Sequence, residues 1–119
     1  MLTKSNLRIL EAGLTSVGRM KVYLETDKGE KAELVLDVHG VLWGLLMPPP
    51  DDSYPLLAFV DPYGRTLFNR LQMNAFLAEW TRLTGTASAG TEIKTLNLIK
   101  GLAERCKDTA KHFLVFVGD

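Results

Sequence analysis

The chain has 119 residues, 46% of them hydrophobic, with 14 Lys+Arg balanced by 14 Asp+Glu for zero formal net charge; this is the make-up of one ordinary globular domain with a single core. Neutrality without a long single-sign run argues against nucleic acid, which demands a basic footprint on phosphates. The longest apolar stretch, Val41 to Met47, falls far short of the roughly 20 residues that cross a bilayer. Lys4 and Arg8 are not followed by an apolar signal segment, and one cysteine, Cys106, allows no internal disulfide, so a soluble cytoplasmic protein is expected.

Residues 1 to 18 carry Leu7, Ile9 and Leu10 but are broken by Gly13 and Gly18, and are read as an extra edge strand or an exchanged arm. From Met20 the chain alternates, Met20, Val22, Leu24 and Thr26 against Lys21, Tyr23 and Glu25, the period of a half-buried strand. Asp27-Lys28-Gly29-Glu30 supplies a turn. Ala32, Leu34, Leu36 and Val38 then alternate against Glu33, Val35 and Asp37, which completes an antiparallel hairpin.

Residues 39 to 47 suit a short helix with Leu42, Leu45 and Leu46 on one side, ended by Pro48, Pro49 and Pro50, after which a long irregular loop runs to Pro55. Leu56 to Val60 is apolar at every position and is expected to be a central strand. Asp61-Pro62-Tyr63-Gly64 has turn chemistry, with Gly64 expected at positive φ, and would pair that strand with Arg65 to Asn69. A helix follows on Met73, Phe76, Leu77, Trp80 and Leu83, stopped by Gly85, with Asn69 and Gln72 at capping-box spacing and Asn74 as a competing cap. Thr86 to Gly90 links it to a second helix whose apolar stripe is Ile93, Leu96, Ile99, Leu102, Ala103 and Cys106. His112 to Val117 closes the chain as a second doubly apolar strand beside Leu56 to Val60. The expected fold is therefore one α+β domain, a largely antiparallel sheet of about five strands with two long helices on one face.

No phosphate loop, zinc-spaced cysteine pair or serine elbow is present, so no catalytic residue is assigned and neither a cofactor nor a metal is expected. Cys106, His112 and Asp61 are the parts of a thiol site, but Cys106 lies on an apolar stripe and reads as core. Asp37 and His39 make at most half a metal site. Two regions stand out. Asp61, Tyr63, Arg65, Asn69 and Gln72 gather around one turn and cap, either satisfying one another or lining a polar cleft in which Arg65 holds a carboxylate. Trp43, Leu46, Met47 and Tyr54 surround the proline loop and would form an apolar contact patch if left uncovered, or core if not.

The segment Phe59-Val60-Asp61-Pro62-Tyr63-Gly64-Arg65-Thr66-Leu67-Phe68-Asn69-Arg70-Leu71-Gln72-Met73 resembles the core signature of a group of small bacterial hypothetical proteins. The ending Phe113-Leu114-Val115-Phe116-Val117-Gly118-Asp119 is similar to theirs, while residues 1 to 18 depart from it. The resemblance implies a bacterial product and transfers no activity; separately from it, a mobile integron gene-cassette protein is the suspected origin. The expectation is a small binding or adaptor protein that self-associates, a homo-oligomer with a dimer favoured. A small-molecule-binding protein or enzyme with its cleft near Asp61 to Gln72 is the alternative.

Overall fold

The computed structural model describes residues 8–11, 20–37, 40–46, 49–85 and 90–118. The chain runs β1 (Arg8–Glu11), β2 (Lys21–Thr26), β3 (Lys31–Leu36), α1 (Val41–Leu46), β4 (Arg65–Asn69), α2 (Met73–Thr84), α3 (Gly90–Asp108) and β5 (His112–Val117). The strands form one sheet in the order β1-β3-β2-β5-β4. Four of them, β3-β2-β5-β4, are antiparallel, and β1 lies outermost, parallel to β3.

The hairpin read from residues 20 to 38 is present as β2 and β3. Its turn closes with Thr26 N–H donating to the Glu30 carbonyl (2.8 Å) and Gly29 at φ +82°, a backbone state that only glycine adopts without strain. The alternation of β3 does not by itself say which set faces inward. Glu33, Val35 and Asp37 are the buried set, while Ala32, Leu34 and Leu36 are only half-buried. The acidic positions go inside because each is engaged there: Glu33 pairs with Arg105 of α3, and Asp37 accepts from the Val41 and Leu42 N–H groups (both 2.8 Å), capping α1.

Val22 and Leu24 of β2, Val35 of β3, Phe68 of β4 and Leu114 and Phe116 of β5 form the helix-facing side of the sheet. Over it lie Phe76 and Trp80 of α2, stacked on each other at 5.6 Å, with Phe116 at 5.9 and 6.3 Å from them. The Trp80 indole N–H donates to the Leu96 carbonyl (3.1 Å) and ties α2 to α3. The stripe of α3 is Leu96, Ile99, Leu102, Ala103 and Cys106 as read, but Ile93 lies outside it, exposed, and Thr95 is buried instead.

The expected strand over Leu56–Val60 is not one. Leu57–Phe59 is a 3-10 turn, so the neighbours of β5 are β2 and β4. The reason is on α2: the buried Glu79 carboxylate accepts from the Leu56 and Leu57 N–H groups (3.0 Å each), which takes the donors a ladder would use. A short apolar run has no periodicity to distinguish these outcomes. Asp61–Gly64 therefore turns a loop, not a hairpin, into β4. Gly64 has no positive φ; a Cβ there would meet the Asp61 carboxylate. Among the described residues no helix is long and apolar enough to cross a membrane.

Candidate functional site

Register places Lys21, Leu36, Val117 and Arg65 side by side at one end of the sheet. The Asp61–Gly64 turn and α1 gather at that end. The turn is built from its own residues: Tyr63 N–H donates to Asp61 Oδ1 (2.9 Å), and Asp61 N–H donates to Thr66 Oγ1 (2.8 Å). Gly118, one residue past β5, donates its N–H to the Gly64 carbonyl at 2.7 Å and lies directly against Pro62. Held this way, the Tyr63 ring stands edge-on to the Trp43 ring of α1, with centroids 5.5 Å apart and planes at 82°. Tyr63 remains 66% exposed, and Phe59, earlier in the same loop, is 80% exposed. The two regions that the sequence presents as separate candidates thus meet through Trp43 and Tyr63.

Their other members disperse. Leu46 is in the core and Met47 lies outside the described residues. Tyr54 is half-buried with the Arg82 guanidinium 4.6 Å above its ring, so it anchors the loop to α2. Asn69 and Gln72 form the capping box in full: Gln72 N–H donates to Asn69 Oδ1 (3.2 Å) and Asn69 N–H to Gln72 Oε1 (2.8 Å). This box opens the 3-10 turn Arg70–Gln72 that leads into α2. Replacing Asn69 by Ala is expected to cost about 1 kcal/mol, read from the urea midpoint.

The sequence also allows Arg65 to pair with Asp61 across the turn, and this pair does not form. Its side chain lies on the sheet face away from the helices, pairs with Glu25 and donates from Nε to the Tyr23 hydroxyl at 3.5 Å. Tyr23, Val115 and Leu67 are in register on that face, so the guanidinium reaches β2 by passing over β5, where Val115 is fully buried. The Lys31 ammonium sits 5.0 Å above the Tyr23 ring. The Tyr23 hydrogen bond and the Glu25 charge raise the Arg65 pKa against a smaller opposing desolvation, so this cation is permanent. Sequence alternation had already put Tyr23 and Glu25 on one face; what it lacked was the partner strand.

The thiol constellation does not assemble. Cys106 Sγ contacts the His112 backbone carbonyl at 3.5 Å, the His112 ring faces the Ala110 carbonyl, and burial pushes the Cys106 pKa up to about 11. Asp61 belongs to the opposite end of β5, about 17 Å away at the rise of an antiparallel strand. No group of three or more His, Cys, Asp or Glu able to hold a metal is found among the described residues, and His39 lies outside them. Comparison with protein families, characterised proteins and solved structures finds no match to this chain.

Sequence reasoning missed two residues that shape this end of the molecule. Glu79 carried a signal, since it falls on the Phe76–Trp80 side of α2 at a position otherwise apolar. Gly118 carried none, because its need for a missing side chain comes from a segment more than fifty residues earlier.

Proposed function

We propose that the chain is a small binding protein that self-associates through the aromatic end of its sheet, with Tyr63 as anchor and Trp43 as its support. One observation supports this above others: Tyr63 is largely exposed although its backbone and ring are fixed by Asp61, Gly64, Gly118 and Trp43. An aromatic side chain ordered before contact loses little entropy on binding, and such residues dominate contact energies. The cleft reading draws less support, because Asp61, Arg65, Asn69 and Gln72 each have hydrogen-bonding partners within the chain.

The test is light scattering over a wide concentration range for the wild type, Tyr63→Ala and Trp43→Ala. A dimer is expected, weakened about tenfold or more by Tyr63→Ala, the loss of a moderate hot-spot residue. Trp43 emission should shift to the blue with concentration while that of Trp80, buried in the core, stays constant. A monomer at every concentration overturns the reading.

A further inference from the structure

We infer that the partner is a second copy of this chain, joined edge to edge through β4 about a two-fold axis at Leu67. This rests on the self-association just proposed and supplies its geometry. Strand β4 ends the sheet, and its burial pattern leaves Arg65, Leu67 and Asn69 exposed. The Gly118 N–H bond to the Gly64 carbonyl fixes which residues point toward β5. By alternation Thr66 and Phe68 exchange ladder bonds with β5, and the backbone groups of Arg65, Leu67 and Asn69 point to the open edge. The Asn69 N–H bond to the Gln72 side chain, directed away from β5, agrees with this phase.

The exposed apolar residues are arranged symmetrically about Leu67. Of the five large exposed hydrophobics among the described residues, three are Tyr63 (66%), Leu67 (42%) and Leu71 (81%), at equal steps of four. An antiparallel pairing that sets Leu67 against its own copy also brings the turn that carries Tyr63 to the same end as the partner's 3-10 turn that carries Leu71, twice. In the same register Arg65 meets Asn69, and its N–H can donate to the Asn69 carbonyl, whose own N–H is already used.

Charge agrees. Edge strands are usually guarded by an outward charge, yet the one charged residue of β4, Arg65, is drawn back over the sheet by Glu25 and Tyr23. Arg70, exposed at the start of the 3-10 turn after β4, lies at the end of the pairing where the partner's β4 begins, and there the partner's Asp61 carboxylate sits against Gly64. Each end of the pairing therefore carries an arginine of one chain and an aspartate of the other. Self-complementarity of this kind is what an isologous contact requires.

The experiment is a Leu67→Cys variant exposed to oxidised glutathione, beside light scattering of Leu67→Lys. Directly opposed bonded residues in an antiparallel pair lie about 5.5 Å apart at Cα, inside the span of a disulfide. Cys106 is buried with its thiol pushed up to about 11, so it contributes little background. A disulfide-linked dimer from Leu67→Cys and none from Leu71→Cys alone are expected. Leu67→Lys, with an unchanged circular dichroism spectrum, should lose the dimer by placing two like charges face to face. A dimer that persists in Leu67→Lys and leaves Leu67→Cys unlinked overturns the β4 pairing while self-association stands. Loss of association in the wild type overturns both.

Discussion

Gly118→Ala is expected to lower stability by about 3 kcal/mol, close to 12 °C in melting temperature for a domain of this size. A Cβ on Gly118 would overlap the carbonyl group of Pro62 and approach the Tyr63 nitrogen. Both are backbone, so neither can rotate away as a side chain would. Relief requires separating β5 from the Asp61–Gly64 turn, which breaks the Gly118 N–H bond to Gly64 and moves the backbone that carries Tyr63. Self-association should therefore weaken with stability. Gly44→Ala provides the contrast: Gly44 lies inside α1 and a Cβ there meets nothing, so the change should stabilise by about 0.5–1 kcal/mol. Calorimetry of the two variants separates them. Equal melting temperatures for Gly118→Ala and wild type would show that the turn does not rest on the end of β5.

Elements whose bonds are local, or whose apolar period is long, were readable from the chain. The β2–β3 hairpin, the Asn69–Gln72 capping box and the stop of α2 at Gly85 each depend on residues within a few positions of one another. The α2 and α3 stripes are long enough for their 3.6-residue period to be unambiguous. Leu56–Val60 was misread because its fate is decided by Glu79, more than twenty residues later. The inward face of β3 was not legible for a similar reason. Burial of Glu33 depends on Arg105 of α3, and hydrophobic alternation cannot anticipate a distant cation that makes a carboxylate tolerable inside.

The candidate site divides along the same line. Proline, aspartate and glycine at 61–64 announced a turn, and Trp43 and Tyr63 were each conspicuous. Their contact was not legible, because it arises from strand order: α1 follows β3, the turn precedes β4, and only the sequence β3-β2-β5-β4 with its observed register brings both to one end. Arg65 is the sharpest example. It was read with its neighbour Asp61, four residues away, yet it turns to Glu25, forty residues earlier, because the side chain at the start of β4 projects onto the face opposite the helices. That choice removes a charge from the outer edge of the sheet and leaves Leu67 as its centre.

Glu79→Ala should have the other large effect, a loss of about 3 kcal/mol, most of it local. One carboxylate oxygen receives both the Leu56 and Leu57 N–H groups, and the second also approaches Leu56. Alanine leaves two donors unpaired, one of them buried, and each such loss costs about 1–3 kcal/mol. Glu79→Gln retains a carbonyl oxygen able to accept both, and should cost only about 1 kcal/mol through loss of the charge-assisted component. Hydrogen exchange distinguishes this from a general weakening: the Leu56 and Leu57 amides should lose protection in Glu79→Ala well before those of β2 and β5. The same variant bears on association, because the segment released from α2 continues through Val60 into the turn that presents Tyr63. If Tyr63 acts as a pre-ordered anchor, Glu79→Ala weakens the dimer about tenfold at concentrations where the core remains folded, whereas Glu79→Gln leaves it nearly intact. Retained protection at Leu56 and Leu57 in the alanine variant would remove Glu79 as the residue that holds this loop.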